Sequence, residues 1–510
     1  MTALNNRSSV CAIVEEVTEG TPVSPTSATD DYIALQDGFS ITPAFEELTN
    51  DRLINSLAQA KSILGLESPT STISHYWVAS GTAGTESNHG LFIESFLGGK
   101  TVNGTEYDTV GGSTAGDAST RATIVVDAGE GAQFRDLGHG LLIKDGVNGF
   151  RVRNTQSIST DTLSLNFNLP AAPASGVNLG QAVLFYPTTE GHPTFTTWVY
   201  RSNGGAVEMM SGSRVSTMTM TADAGQLINC EYALAGIEYY FNPIEITSSD
   251  IYLDFTSDNG TFAAQVTAQM YKDPVDLANA LATAMESVDS AESYEVTYSS
   301  STGKYTIASS TSALLSLLWN TGTNTANTIG DKLGFDIAAD DTGATSYEAD
   351  NVIDITAPQT PSYDSTDPNV GKANEVTFGD FDDYVCFNAS NVTMNGTNTV
   401  SNLLSLCATS GREGTLITAR ATTFDVTARL TQYDADKFFK FRTNANVQFM
   451  YNNGEKSGGN WTAGTVKNIY APFTTITSYE VVDTDGVLEL QMTLSTYTPN
   501  GEEELFVNEL

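Results

Sequence analysis

Residues that commonly carry out catalysis are sparse in this 510-residue sequence and follow no catalytic spacing. The four histidines form no HxH, HExxH or histidine–carboxylate pattern of the kind that binds zinc; they are His75, His89, His139 and His192. The sequence also lacks the GxSxG turn that presents a nucleophilic serine and the GxxxxGK[ST] loop that binds phosphates. Histidines without such partners are usually core or surface residues, so the sequence predicts no catalytic residue.

Carboxylates are abundant, with 61 acidic against 23 basic residues and a formal net charge of −38. Two Asp-rich runs, "AADDTGATSYEADN" (338–351) and "GDFDDY" (379–384), could hold a hard cation weakly, but neither has EF-hand spacing. Structural or solvated roles are favoured for both. So many acids are compatible with a glycosidase-type carboxylate pair, which keeps a carboxylate-dependent hydrolase open as a less favoured alternative.

The four cysteines form no CxxC pair, which predicts neither a disulfide framework nor a zinc site; they are Cys11, Cys230, Cys386 and Cys407. The first residues, "MTALNNRSSVCAIVEE", lack the basic and apolar regions of a signal peptide. No apolar run approaches the roughly 20 residues that span a bilayer. We therefore expect a soluble protein made in the cytoplasm, with no cofactor, no metal and no membrane partner.

Composition favours β-structure in several domains. Hydrophobic residues make up 40% of the chain and charged residues only 16%, and the rest is rich in Thr, Ser, Asn and Gly. Thr favours strands, whereas Ser, Asn and Gly favour turns. A chain this long should hold two to four domains, so a mainly β fold with minor α structure is expected.

Residues 1–100 and 191–244 are interpreted as the first part of one β domain. Strands are predicted at 10–17 and in "YIALQDGFSI" (32–41), and a short helix in "HGLFIESFLGG" ends at Gly98. Later, a hairpin turns at 203–205 and a meander follows. Within "RVSTMTMTA" the alternation places Ser216, Met218 and Met220 on one face and Val215, Thr217, Thr219 and Thr221 on the other.

Residues 101–190 are interpreted as a β insert of the size of a small barrel or sandwich. Four strand-length runs, "RATIVVDAG", "GLLIKDG", "GFRVRNTQSI" and "DTLSLNFNL", are separated by Gly or Asp turns. Two hairpin-type pairs, Asp145-Gly146 and Asn148-Gly149, lie between the second and third runs.

Residues 245–355 are predicted to form a complete α+β module inserted into the β domain. Asp273 and Pro274 begin a helix whose apolar face comprises Leu277, Leu281, Met285 and Val288. The hairpin "YEVTYSSSTGKYTIA" follows, and a second short helix, "TANTIGDKL", ends at Gly334. The segment contains three lysines, no arginine and seventeen carboxylates, which gives it a formal charge of −14. A linker at 356–374 leads to the remainder of the β domain, 375–510, with a long alternating strand, a short helix or turn in "TQYDADKFFKF" and a hairpin at Asp485-Gly486.

This order of elements resembles that of major tail tube proteins of long-tailed bacteriophages. The opening "VEEVTEGTPVSP" (14–25) is similar to an early Glu-x-Thr-x-Gly-Thr-Pro signature of that family, and "GLFIESFLGG" (90–99) lies where the family has a short helix. The hairpin and alternating strands of 194–239 and the closing strands of 425–495 resemble the corresponding family blocks. The likeness covers roughly half of the chain, and the segments 101–190 and 245–355 depart from a minimal tube protein.

The resemblance implies a tube-type β-barrel or sandwich with a flanking helix, and a virion structural protein rather than an enzyme. Such subunits form hexameric rings that stack into a tail tube, with tape measure, tail terminator and baseplate proteins as partners. Double-stranded DNA passes through the lumen without specific binding, and an acidic wall suits that passage because a basic wall would retain DNA. A folded insert would block the bore, so the 245–355 module is expected outside it, which favours a non-contractile tail.

Other classes of protein remain open on the sequence alone. A multi-domain bacterial surface or adhesin protein built from β domains is the first alternative, and the missing signal peptide argues against it. The acidic hydrolase is the second.

Overall fold

The computed structural model describes residues 6–25, 32–37, 39–52, 61–109, 119–353, 360–407, 411–432, 435–436, 438, 441 and 446–510. Strands account for 51% and helices for 9%, in large antiparallel sheets that include a half-barrel. The expectation of a mainly β fold with minor α structure is therefore confirmed.

The elements follow in chain order. The first are β1 Val10–Glu15, β2 Tyr32–Ile33, β3 Ser40–Thr42, β4 Phe45–Leu48, β5 Ile63–Glu67, β6 Thr70–Tyr76, α1 Gly90–Leu97, β7 Gly98–Asn103, β8 Tyr107–Asp108, β9 Thr123–Val125, β10 Gly140–Asp145, β11 Gly149–Ser159 and β12 Thr162–Leu165. The next are β13 Asn178–Leu179, β14 Ala182–Pro187, β15 Phe195–Arg201, β16 Ala206–Asp223, β17 Asn229–Ala235, β18 Glu238–Phe241, β19 Ile244–Ile246, β20 Tyr252–Ser257, β21 Gly260–Gln265, β22 Gln269–Tyr271, α2 Pro274–Val288, β23 Tyr294–Ser299, β24 Lys304–Ser309 and β25 Leu315–Leu317. The last are α3 Gly330–Leu333, β26 Asp341–Ala344, β27 Ser346–Glu348, β28 Glu375–Gly379, β29 Tyr384–Phe387, β30 Ala389–Leu404, β31 Arg412–Arg429, β32 Val447–Asn453, β33 Lys456–Ser457, β34 Asn460–Trp461, β35 Lys467–Thr484, β36 Val487–Thr496 and β37 Phe506–Glu509.

Two compact units divide the chain. The first, the insert unit, comprises Met1–Cys11, Thr197–Ser211 and Glu238–Thr360. The second, the sheet unit, comprises Ala12–Thr196, Gly212–Ile237 and Pro361–Leu510. The predicted module at 245–355 thus shares its unit with two earlier segments, and the domain boundaries drawn from the sequence stay predictions.

The insert unit has its own apolar core, and the residues of that core all lie between Ile244 and Ile353. The side chain of Asp273 caps α2 by accepting hydrogen bonds from the amides of Val275 and Asp276 at 2.7 and 2.8 Å. These bonds satisfy amides that have no partner within the helix. The predicted cap is confirmed.

The apolar face of α2 is confirmed except at its end. Leu277, Leu281 and Met285 are fully buried, but Val288, the last residue of the helix, is 38% exposed. The hairpin that follows pairs Tyr294 with Ser309 and Ser299 with Lys304. The second short helix is confirmed only in part: Gly330–Leu333 form α3, which is followed by Gly334 in a left-handed conformation, whereas Thr325–Asn327 form a separate 3-10 turn.

The sheet unit is organised around seven antiparallel strands. Successive neighbours are β6, β17, the Gly212–Asp223 part of β16, β30, β31, β36 and the second half of β35. The buried side of this sheet includes Tyr232, Met220, Met394 and Phe424. Helix α1 belongs to the same unit, and a Cβ on Gly396 would lie 2.5 Å from the ring of Phe96, so β30 passes close to that helix. Position 396 therefore requires glycine, because any side chain there would overlap the ring of Phe96.

Strand β35 also belongs to a second group of strands. Its first residues pair with β32 on one side and with β37 on the other. Beyond these, β28 and β29 extend the group from β32, and β14 and β7 extend it from β37. One 18-residue strand therefore joins the two groups.

A separate six-stranded sheet lies within residues 107–179 and buries its own apolar cluster. Four of its strands, β9 to β12, coincide with the four runs predicted for the β insert, whereas the two-residue strands β8 and β13 lie outside those runs. In the second of the two predicted turn pairs, Asn148-Gly149, the glycine is in the left-handed region with a φ of 78°. Asp145 closes the loop by accepting hydrogen bonds from the amides of Val147 and Asn148.

Two strand predictions near the amino terminus need correction. "YIALQDGFSI" is not one strand: only Tyr32–Ile33 and Ser40–Thr42 are extended, and Gly38 lies outside the described residues. The run predicted at 10–17 ends at Glu15, since the carboxylate of Glu16 is drawn inward by the amides of Gly20 and Gly212. The predicted helix or turn at 431–441 falls partly outside the described residues; Phe438 and Phe441 within it are helical and buried.

Candidate functional site: the polar face of the large sheet

The four histidines do not come together at one site. His75, His89 and His139 are buried, and burial lowers the pKa of His75 and of His139 to about 4. His192 is held by the carbonyl oxygens of Ser95 and Thr188. His75 and His89 do meet, with ring centroids 4.7 Å apart. In the part of the chain that the structure describes, no group of three or more His, Cys, Asp or Glu residues is placed to hold a metal ion.

The two Asp-rich runs fix loops instead of meeting at a cation site. Asp340 accepts hydrogen bonds from the amides of Asn320 and Thr321 and from the Thr321 hydroxyl. Burial alone would raise the pKa of Asp340, but these hydrogen bonds outweigh it and lower the pKa. Asp380 and Asp383 exchange backbone hydrogen bonds in the turn between β28 and β29. That the protein binds no metal or cofactor stays a prediction.

The most extensive organised surface is the outward side of the seven-stranded sheet, called here the polar face. Pairing register aligns its residues in four rows that cross the strands. The rows are Ser74, Glu231, Thr219, Asn395, Thr423, Ser495 and Thr475; Tyr76, Asn229, Thr221, Thr393, Asp425, Thr493 and Ser478; Asp223, Asn391, Thr427, Gln491 and Glu480; and Thr72, Ala233, Thr217, Thr397 and Ala421.

Side-chain hydrogen bonds connect neighbouring strands across the polar face. Asp425 accepts from the Asn395 amide at 3.1 Å and from the Thr493 hydroxyl at 2.6 Å. Asp223 accepts from Asn391 at 2.8 Å. Because each bond joins neighbouring strands, the polar side chains fix the register and also remain on the solvent side.

The electrostatic character of the polar face is acidic. Its four rows contain the carboxylates Glu231, Asp425, Asp223 and Glu480, and neither Lys nor Arg. All other members are hydroxyl, amide or alanine side chains, apart from Tyr76. The next residue of β31 on this side, Arg429, lies beyond the four rows and opposite Glu489 of β36. The four rows themselves offer no cation to a nucleic acid backbone, so DNA gains no electrostatic attraction from them.

One predicted facing on this surface is wrong. Val215 was placed with Thr217, Thr219 and Thr221, but it is fully buried. The pairing of β16 with β17 shifts between Val215 and Thr217. Such a β-bulge inserts one residue, here Ser216, and reverses the alternation, so Val215 points to the same side as Met218.

Two neighbouring hairpins present apolar side chains to solvent. Beyond Thr397, β30 pairs only with β31 among the described strands, and the short hairpin β4–β5 lies close by, since Arg412 donates to the carbonyl oxygen of Glu67. The exposed apolar residues of the two hairpins, called here the hairpin patch, are Phe45, Leu48, Ile63, Leu64, Leu403, Leu404, Leu406 and Leu416. Leu64, for example, is 68% exposed.

Polar contacts hold the β30–β31 hairpin to its own unit. Glu19 accepts hydrogen bonds from the amide and the hydroxyl of Thr415, both at 2.6 Å. Arg214 donates to the Thr415 hydroxyl at 2.7 Å and pairs with Glu19 at 3.1 Å. The hairpin is therefore anchored on one side while its leucines stay exposed on the other.

The end of the β35–β36 hairpin is a second exposed apolar region. Val481, Val487 and Leu488 are each between 44% and 52% exposed. Among the described strands, β36 pairs with Val481–Thr484, and no other described strand pairs along their opposite side. An uncovered strand edge of this kind can accept a strand from another chain.

Sequence reasoning found the strands of this surface but not the surface itself. The Thr-rich alternation of β16 signals one polar side, and its partner β17 follows closely in the chain, but its other partner, β30, lies more than 150 positions later. No spacing in the sequence indicates that Asp425 meets both Asn395 and Thr493.

Comparisons with known proteins do not place the chain in a class. No protein-family model matches this sequence, and a search of curated proteins gives no match. Among the described residues, no helix combines the length and the apolar character needed to cross a bilayer.

Proposed function

We propose that this protein is a virion structural protein, the subunit of the tail tube of a long-tailed bacteriophage. In this proposal, copies assemble into hexameric rings, the rings stack into a tube, and the tube conducts the genome during ejection. The polar face lines the lumen. The observation that carries the proposal is this face: four rows of paired residues over as many as seven strands are acidic and contain neither Lys nor Arg, and Arg429 follows only beyond them, opposite Glu489.

The exposed apolar residues support self-assembly. A monomer gains nothing from leucines at hairpin ends, since exposed apolar side chains and open strand edges favour unwanted association. In a homo-oligomer the same features become contacts between copies, and head-to-tail contacts generate rings and filaments. We assign the hairpin patch and the end of β35–β36 to such contacts.

The acidic insert unit is placed outside the tube in this proposal. A folded unit with its own core would obstruct a lumen wide enough for DNA. An external unit leaves little room for a sheath, so a non-contractile tail is proposed, with tape measure, terminator and baseplate proteins as the other partners. In this proposal the protein is synthesised in the host cytoplasm and is then located in the virion.

The test is the assembly state of the purified full-length chain. Negative-stain microscopy and sedimentation should show rings or tubes at high protein concentration and moderate salt. A chain that stays monomeric under all these conditions contradicts the proposal and favours the surface-protein alternative. Turnover of a polysaccharide that one Asp→Asn substitution abolishes would favour the hydrolase.

A matched pair of variants sharpens the test. Leu404→Asp with Leu406→Asp places charges in the hairpin patch and should abolish assembly while the melting temperature stays within a few degrees. Val147→Asp is the control, because Val147 is 86% exposed at the end of the β10–β11 hairpin and has no assigned contact. Equal assembly of both variants would remove the hairpin patch from the interface.

A further inference from the structure

A lysine and a glutamate lie opposite each other in the sheet unit, completely buried. Lys467 on β35 and Glu509 on β37 form a directly paired position of the antiparallel ladder. Their side chains are 0% and 5% exposed, and Lys467 Nζ donates to Glu509 Oε1. Buried ion pairs are costly because desolvation can exceed the Coulombic attraction.

The surroundings of this pair resemble a reaction site more than a simple ion pair. Ser87 donates to the carboxylate through its hydroxyl at 2.6 Å and through its backbone amide at 2.8 Å. The same hydroxyl accepts from Lys467 Nζ at 2.9 Å. His89 Nε2 lies 3.4 Å from both Lys467 Nζ and Ser87 Oγ. The Trp77 ring covers Lys467 at 5.3 Å.

His89 is positioned to accept a proton. Burial is the main cause that holds the pKa of His89 well below its ordinary value, so the imidazole is neutral, and its Nε2 lies within reach of Lys467 Nζ and of the Ser87 hydroxyl. Bond formation requires the neutral amine and the neutral acid, which form when one proton moves along the Lys467–Glu509 hydrogen bond.

We propose that Lys467 and Glu509 join in an intramolecular amide bond. Lys467 Nζ attacks Glu509 Cδ and gives one proton to His89 Nε2. The carbon–oxygen bond to Oε1 then breaks, and Oε1 leaves as water after it receives the proton from His89 through the Ser87 hydroxyl. The products are one amide and one water molecule, and no oxidant or further reactant is needed.

Each neighbour has a defined part in this step. The Ser87 amide binds Oε2, the oxygen that carries negative charge during the addition and becomes the carbonyl of the product. Pairing of the strands holds amine and carboxyl together, which gives a high effective concentration without any added catalyst. The reaction requires no solvent access, which suits the complete burial of the pair. It does not depend on the assembly proposal.

Trypsin digestion of the purified 510-residue chain tests the inference directly. The sequence has Lys456 and Lys467 but no later Lys or Arg. An unmodified chain therefore gives the peptides 457–467 and 468–510. An amide on Lys467 blocks cleavage there, and we expect a single looped peptide, 457–510, about 18 Da lighter than its sequence because one water is lost.

Two variants control the experiment. Lys467→Arg keeps the charge and the tryptic site but cannot form the bond, so it should give the two separate peptides. His89→Gln should slow bond formation by at least tenfold after synthesis. Wild-type protein that is folded and yet yields 457–467 and 468–510 in full amount overturns the inference, and no variant is needed for that result.

Discussion

Gly212 shows how one residue can hold several parts of the sheet unit in place. Its φ of 61° is in the left-handed region, and a Cβ there would lie 2.5 Å from the side chain of Ile237. Its amide donates to Glu16 at 2.8 Å, and Glu16 also accepts from the Thr196 hydroxyl at 2.9 Å. Burial raises the pKa of Glu16 despite these bonds.

Gly212→Ala should destabilise the protein by about 2–4 kcal/mol, because strain in φ adds to overlap with Ile237. Gly225→Ala is the control, since Gly225 has a φ of 79° but no atom near its Cβ position, and should cost only about 1 kcal/mol. Chemical denaturation measures both values. Equal losses would show that the contact with Ile237 is unimportant.

Buried histidines should make stability depend on pH. The pKa of His75 and of His139 is lowered from 6.5 to about 4 by burial. Between pH 6.5 and pH 4 the unfolded chain binds more protons than the folded chain. The contribution of these histidines to the free energy of unfolding is therefore fully present above pH 6.5 and is lost as the pH drops toward 4. Each histidine should account for about 3 kcal/mol over the full interval.

His139→Asn isolates one of these contributions. Asn can still accept from the Arg135 amide, as His139 Nδ1 does at 3.3 Å. The loss of stability between pH 6.5 and 4 should be smaller in the variant than in the wild type by about 3 kcal/mol. Contributions of opposite sign, such as the raised pKa of Glu86, about 7, cancel in this comparison. Parallel pH curves would refute the assignment.

At the scale of elements, helix α2 tests whether the insert unit depends on local signals. Asp273→Ala removes both hydrogen bonds that cap the helix and should cost about 1 kcal/mol, and up to about 2. Asn279→Ala, at an exposed position of the same helix, should change stability by less than about 0.5 kcal/mol. Thermal unfolding followed by circular dichroism distinguishes the two.

Individual elements were the most predictable level of this protein. The cap at Asp273, the left-handed ends at Gly98 and Gly334 and the turn at Asp485-Gly486 follow from short-range chemistry, and all are present. The errors occur where distant contacts overrule the local pattern. The bulge at Ser216 is an example, since it leaves no mark in the alternation of residues. The break in 32–41, in contrast, coincides with the turn dipeptide Asp37-Gly38, which is a local signal.

At the scale of the whole molecule, the charge of −38 opposes association of copies. If apolar contacts drive assembly, screening of this repulsion should promote it. The sedimentable fraction of purified protein should therefore rise when salt increases from about 0.05 to about 0.5 M, as the Debye length shortens from roughly 14 to 4 Å. A decrease with salt would mean that ion pairs hold the copies together.

Composition and short-range spacing are enough to predict the β-rich class, the acidic character, the main turns and the helix that begins after Asp273, because each depends on composition or on residues within a few positions of one another. Which strands are neighbours becomes known only from the folded chain. The polar face and the Lys467–Glu509 pair arise from strand pairing, and pairing joins residues that are up to hundreds of positions apart. Side-chain alternation predicts that a strand has one polar and one apolar side, but it does not indicate which other strands pair with it and extend those sides.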